Sequence, residues 1–125
     1  MLQQVSDFEL ELMKIIWENN GTALYAEITD ALHKKGLSTT KNTIISLLSR
    51  LTCKGYLKTN KIGRRNKYTA LVSAEEYQAM QTTAFIDKIY EGNVSGLVST
   101  LIQKNLIKPE EYEELKKYWE GGGKG

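Results

Sequence analysis

The fold of this chain turns on one stretch, Thr39-Thr40-Lys41-Asn42-Thr43-Ile44-Ile45-Ser46-Leu47-Leu48-Ser49-Arg50-Leu51-Thr52-Cys53-Lys54-Gly55, followed at once by Tyr56-Leu57-Lys58-Thr59-Asn60-Lys61-Ile62. Its first part has a helical period. At about 100° per residue, Ile44, Leu47, Leu48 and Leu51 gather on one side, Asn42, Ser46 and Ser49 on the other, and Ile45 and Arg50 flank them. Gly55 is placed to stop the helix. The period then changes. Tyr56–Ile62 and Lys67–Val72 are rich in β-branched and aromatic residues, and Gly63-Arg64-Arg65-Asn66 separates them, which predicts a β-hairpin. Solvated helix faces usually carry Glu and Lys; this one turns small hydrogen-bonding groups outward and is followed by a basic hairpin. That combination predicts a winged helix-turn-helix.

Upstream, Ser6-Asp7-Phe8-Glu9 forms a capping box, with Val5 and Leu10 at the staple positions and Leu10, Met13, Ile16 and Trp17 at helical spacing. Asn19-Asn20-Gly21 ends this first helix. A second is expected after Thr22, with Leu24, Ile28 and Leu32 in one stripe. The expected fold class is therefore mainly α with a small β-hairpin.

Charge is distributed unevenly. Between Ala31 and Ala74 there are ten lysines and arginines and no aspartate or glutamate. Residues 1–73 hold 11 basic and 6 acidic residues, a balance of +5; residues 74–125 hold 6 and 9, a balance of −3, which restores the whole-chain +2. A folded, acid-free basic surface is the footprint of a protein that sits on a polyanion, most often nucleic acid. Phosphate gripping and base reading call for different side chains. Lys58, Lys61, Arg64, Arg65 and Lys67 have the reach for phosphates or a minor groove. Thr40, Lys41, Asn42 and Thr43 lie at the start of the third helix, where backbone N–H groups favour phosphate. Asn42, Ile45, Ser46 and Ser49 are the candidates for base edges: Asn pairs with adenine, Ser is ambivalent, and Ile45 suits a thymine methyl. Arg50 serves either a phosphate or the domain itself. The alternative partner for the same hairpin is an acidic protein surface.

After Ser73 the helical pattern returns. Ser73-Ala74-Glu75-Glu76 is a second capping box opening a helix that runs to about Glu91; residues 94–104 form a short amphipathic helix; Pro109-Glu110-Glu111 opens the last. The expected division is a DNA-binding domain over 1–73, a helical dimerisation region over 74–120 and a flexible Gly-rich tail over 121–125. A region of this size buries little by itself, yet it keeps Leu97, Val98, Leu101, Ile102, Leu106, Leu115 and Trp119. These residues need a partner, either the first domain, onto which they would fold back, or a second copy. The first domain already has a self-contained core, which favours a homodimer, whose two reading helices would enter major grooves about 34–36 Å apart or a multiple of it.

Other classes of function find little support. No apolar run approaches the roughly 20 residues of a membrane span, and no secretory signal precedes the first helix. One cysteine, Cys53, allows no intrachain disulfide and fits a reducing cytoplasm. One histidine and one cysteine do not supply a four-ligand zinc site by themselves. No nucleophile–base constellation or Gly-rich phosphate loop is present, so neither an enzyme nor a cofactor is expected.

The chain resembles the penicillinase and methicillin-resistance repressors, the BlaI/MecI family of bacterial winged-helix regulators. The resemblance is carried by Ser6–Glu9 through Ile16-Trp17, Thr43–Leu51, Lys54-Gly55-Tyr56, and Phe85–Tyr90 through Leu97-Val98, in order over residues 5–119. It implies a homodimeric repressor of a palindromic operator in double-stranded DNA, with the third helix and wing on the DNA and the C-terminal helices at the dimer interface. It also implies control of β-lactam resistance genes and release through a protease linked to a membrane sensor. Family members regulated in this way are cut at an Asn–Phe bond; the matching positions here are Thr100 and Leu101. Ile45 stands where family repressors commonly carry a long basic residue. The C-terminal cysteine cluster of a copper-responsive branch is absent from this chain.

Overall fold

The computed structural model describes residues 3–120; the Gly-rich tail expected over 121–125 lies outside the described residues. The elements are α1 (Asp7–Glu18), β1 (Thr22–Leu24), α2 (Tyr25–Lys34), α3 (Lys41–Cys53), β2 (Leu57–Ile62), β3 (Arg65–Ala70), α4 (Ala74–Tyr90), α5 (Val94–Gln103) and α6 (Pro109–Glu120). They divide into two compact units, Met1–Gln78 and Ala79–Gly125.

In the first unit three helices pack beside an antiparallel sheet of order β1-β3-β2. Its core is Leu12, Met13, Ile15 and Ile16 of α1, Ile28 and Leu32 of α2, Ile44, Leu48 and Leu51 of α3, with Ala23, Tyr56, Leu57, Tyr68 and Tyr77. Burying a Leu or Ile side chain fully contributes roughly 1.5–3 kcal/mol. Leu48 and Leu51, both fully buried, therefore fix which face of α3 turns inward. The first turn of α4 belongs to this unit. Tyr77 meets the rings of Trp17 and Tyr56 at centroid distances of 5.8 and 6.0 Å, and the Trp17 indole N–H donates to the Val72 carbonyl at 2.8 Å.

The local signals act as their residue types require. Ser6 and Glu9 close a reciprocal capping box, Glu9 N–H to Ser6 Oγ at 3.2 Å and Ser6 N–H to Glu9 Oε1 at 2.7 Å. Ser73 and Glu76 repeat it at 3.0 and 2.8 Å. Thr40 caps α3 by accepting from the Thr43 N–H at 3.2 Å, and Gly55, at φ +89°, closes it in the left-handed conformation.

Three local expectations are corrected. The segment Thr22–Leu24 is a strand, and α2 starts at Tyr25. Leu24 has no side-chain acceptor, so this helix entry keeps half of a capping box, the Leu24 N–H donating to Glu27 Oε1 at 2.7 Å. The sheet accordingly has three strands. The hairpin register pairs Ile62 with Arg65, so Arg65 and Asn66 belong to β3 and the turn is Gly63-Arg64 alone. Gly63 at φ +63° meets the positive-φ demand of a two-residue hairpin turn. On α1 the buried face runs through Leu12 and Ile15 beside Met13 and Ile16, while Leu10 and Trp17 are half-buried.

The second unit is built differently. Neither α5 nor α6 contains a buried residue, and the two share no extended packing. Among the described residues the hydrophobic core lies entirely at or before Tyr77. Leu101 of α5, Leu106 and Ile107 of the connection, and Leu115 and Tyr118 of α6 line an open concavity of about 700 Å³. No helix of the described residues is long and apolar enough to cross a membrane.

Candidate nucleic-acid interface

With Ile44, Leu48 and Leu51 inward and Leu47 and Thr52 half-buried, the other positions of α3 face outward by geometry. Lys41, Asn42, Thr43, Ile45, Ser46, Ser49 and Arg50 are all exposed, as is the cap residue Thr40. Two of these have a structural engagement as well: the Thr40 hydroxyl donates to Thr43 Oγ1 at 2.8 Å while accepting from its backbone. Asn42, Ser46, Ser49 and Cys53 make one stripe at spacings of four, three and four, so a single helix face carries the base-reading candidates. Shallow grooves lie on both sides of Arg50, one lined by Asn42, Thr43, Ser46 and Leu47 and the other by Gln3, Ser46, Ser49, Cys53 and Lys54.

The wing is anchored to this helix. Thr52 Oγ1 donates to the Leu48 carbonyl and lies 2.9 Å from Thr59 Oγ1 of β2. Alternation along the strands then separates the wing's charges. Lys58, Lys67 and Arg65 fall on the face opposite the buried Leu57 and Tyr68, whereas Lys61 shares the parity of Leu57 and reaches past the core toward the tip. Lys58, Lys61, Arg64 and Arg65 are exposed and Lys67 is half-buried.

The ten cations of the acid-free stretch separate into two groups. Lys34 pairs with Asp30 at 3.3 Å, Lys35 with Glu18 at 3.5 Å and Lys54 with Glu9 at 2.9 Å. Each partner lies outside the acid-free stretch. The other seven, Lys41, Arg50, Lys58, Lys61, Arg64, Arg65 and Lys67, form no ion pair among the described residues. All seven stand on α3 or on the wing. Within the acid-free stretch, unneutralised charge is thus confined to α3, which carries the small polar stripe, and to the wing beside it.

A feature that the sequence did not announce supports α3 from behind. Glu9 is fully buried. Burial raises the pKa of its carboxyl, but the Ser6 N–H and the Lys54 ammonium together prevail and hold it below the usual range. Lys54, at the end of α3, also donates to the Gln4 carbonyl at 2.9 Å, and the Tyr56 hydroxyl donates to the Gln3 carbonyl. Burial, with Tyr77 and Glu9 beside it, pushes the Tyr56 phenol up, so it stays protonated and remains a donor. The only advance signal was that Ser6–Glu9 and Lys54-Gly55-Tyr56 both stood out in the sequence; nothing in their spacing paired them.

Residues 5–121 match the sequence model of the penicillinase repressor family. The chain belongs to this family. It is 32% identical over 114 residues to the penicillinase repressor of Bacillus licheniformis, covering 91% of this chain and 88% of that one. It is 29% identical to the methicillin resistance regulatory protein MecI of Staphylococcus aureus, covering 90% of each. Among solved structures it is similar to the DNA-binding domain of the repressor BlaI, at a TM-score of 0.54 and 35% identity over 62% of this chain and 92% of that domain. It is also similar to monomeric Bacillus licheniformis BlaI in complex with the blaP half-operator, at a TM-score of 0.51 and 35% identity over the same shares. The penicillinase repressors are DNA-binding transcriptional repressors and not enzymes, and the winged helix expected from the third helix and hairpin is the fold of this chain.

The remaining sequence-marked residues lie in the second unit. Val98, Ile102, Leu106, Leu115 and Trp119 are exposed, Leu97 and Leu101 half-buried. Thr100 and Leu101 lie inside α5, where the Thr100 hydroxyl donates to the Gly96 carbonyl at 3.0 Å.

Proposed function

We propose that this member of the penicillinase repressor family binds a palindromic operator in double-stranded DNA as a cytoplasmic homodimer and represses the adjoining genes. The observation that carries the reading is the confinement of seven unpaired cations to α3 and the wing, around an exposed stripe of Asn42, Ser46 and Ser49. In it, Asn42, Ile45, Ser46 and Ser49 read base edges. Lys41, Arg50, Lys58, Lys61, Arg64, Arg65 and Lys67 supply the phosphate contacts, and Thr40 and Thr43 fix the entry of α3.

The dimer part rests on the second unit. Leu97, Val98, Leu101, Ile102, Leu106, Leu115 and Trp119 are left half-buried or exposed within one chain, and a second copy related by a two-fold axis would cover them. Control of β-lactam resistance or related genes is proposed from the relatives' names. Release by a sensor-linked protease at Thr100–Leu101 is a further part of the proposal. It requires α5 to open locally, because a peptide bond inside a hydrogen-bonded helix must unwind before a protease can take it.

The experiment is a gel shift with the protein's own upstream promoter against a random duplex of equal length. Preference for the promoter, with roughly 10³-fold weaker binding at 200 mM than at 50 mM salt, is expected for about six phosphate contacts. Equal binding to both duplexes overturns the repressor reading.

A further inference from the structure

The groove on the C-terminal side of Arg50 differs from the rest of the α3 surface because one wall comes from elsewhere in the chain. Gln3 joins Ser46, Ser49, Arg50, Cys53 and Lys54 around a space of about 480 Å³. Gln3 is held there by its neighbours' bonds: its own carbonyl accepts from the Tyr56 hydroxyl and the next carbonyl, Gln4, accepts from Lys54 at 2.9 Å. Lys54 is in turn fixed by the buried Glu9 carboxylate at 2.9 Å. The N-terminal segment is therefore strapped beside the DNA-facing side of α3 by three side chains that lie below that face.

The chemistry of the lining selects an anion. Among the described residues its side chains offer an amide, two hydroxyls, a thiol, a guanidinium and the Lys54 ammonium, and no carboxylate lines it. Lys54 is neutralised by Glu9, which leaves Arg50 as the one uncompensated positive charge among the described lining residues. One charge, several neutral donors and a position on the shoulder of the reading helix match a single phosphodiester.

We propose that this groove seats one backbone phosphate of the bound duplex, with Arg50 and the Gln3 side-chain amide donating to it, and with Tyr56 and Lys54 as positioning residues for Gln3. The inference rests on the operator-binding reading above. It adds the N-terminal segment as a third DNA-contacting element beside α3 and the wing, and it gives the phosphate held by Arg50 a second donor.

The test is ethylation interference and gel-shift titration on the full chain and the promoter duplex. Gln3→Ala keeps the strapped carbonyl and removes the amide. It is expected to bind roughly tenfold more weakly, the loss of one hydrogen bond to a charged group, to promoter and random DNA alike. Being uncharged, it leaves the salt slope unchanged, whereas Arg50→Ala lowers the slope by about 0.9. Ethylating one phosphate per half-site should hinder the wild type, hinder Gln3→Ala less because Arg50 still holds that phosphate, and no longer hinder the Gln3→Ala/Arg50→Ala double variant. Tyr56→Phe should weaken interference at the same phosphate while the others persist. If Gln3→Ala binds as the wild type does with an unchanged interference pattern, the proposal is overturned and the repressor reading stands. If the wild type binds no duplex, it is the repressor reading that fails.

Discussion

Lys54, the C-cap residue of α3, places its ammonium 2.9 Å from the carboxylate of Glu9, which lies 45 residues earlier and is fully buried. Glu9 thus has two tasks. It caps α1 locally and it fixes the end of α3 from a distance. Removing one partner of a buried pair leaves the other charge uncompensated, at about 3–5 kcal/mol. Glu9→Ala is therefore expected to destabilise the first unit by about 3 kcal/mol in chemical denaturation, the lower figure because Lys54 is partly exposed. A loss under about 1 kcal/mol would reduce the pair to an ordinary surface bridge.

The same pair sets a pH dependence. The folded-state pKa of Glu9 lies below its unfolded value. Its contribution is therefore complete above the unfolded carboxylate pKa of about 4.3 and is lost as pH falls through the lower folded value. In Lys54→Met the folded pKa should rise, because burial is then less opposed. The stability gap between the wild type and Lys54→Met should be widest near neutral pH and close progressively below about pH 4.3. A gap that stays constant down to pH 3 would show that Lys54 acts through packing alone.

For the reading helix, Asn42→Ala and Ile45→Ala should each relax preference at one operator position by about 1–3 kcal/mol and leave the salt slope intact. Competition with operators altered one base pair at a time would measure this. A uniform loss across all sequences would move these residues from base contact to scaffold.

The wing should behave in the opposite way. Arg64→Ala combined with Arg65→Ala is expected to weaken binding to all duplexes and to flatten the salt slope by about 0.9 per residue. An unchanged slope would mean that neither arginine meets a phosphate.

In the second unit, Leu101→Asp and Leu115→Asp each put a charge on the concavity between α5 and α6. Both should sediment as monomers and bind a whole operator little better than a half-site. Unaltered dimers would place the interface on another face.

How much of this was legible in advance depended on the range of each cause. The capping boxes at Ser6 and Ser73, the inward face of Ile44, Leu48 and Leu51, and the stop at Gly55 are set by residues within one or two turns, and a sequence shows those directly. Thr22–Leu24 was not legible as a strand. Three residues carry no period, and their extended conformation comes from pairing with Lys67, Tyr68 and Thr69 far along the chain. The hairpin itself is visible in the sequence, but its turn is two residues shorter than the sequence suggests, because Arg65 and Asn66 look like turn residues until Ile62 fixes the register. Among the candidate site residues, exposure followed from the helical wheel. The assignment of Lys54 to Glu9, and so its separation from the seven unpaired cations, needed tertiary contact that no local pattern encodes.

The two-residue turn at Gly63-Arg64 carries a constraint of its own. Side chains on a strand alternate between faces, so adding one residue at the tip would shift the pairing by one and force a choice. Either Tyr68 leaves the core, or the strands pair through a bulge that turns the tip away. A Cβ at Gly63 would find open space, yet the backbone there resists any other residue. A substitution at Arg64 leaves the pairing register untouched, whereas an insertion at the tip does not. The charge carried by the wing can therefore change by substitution beside Gly63 far more readily than by a change in length.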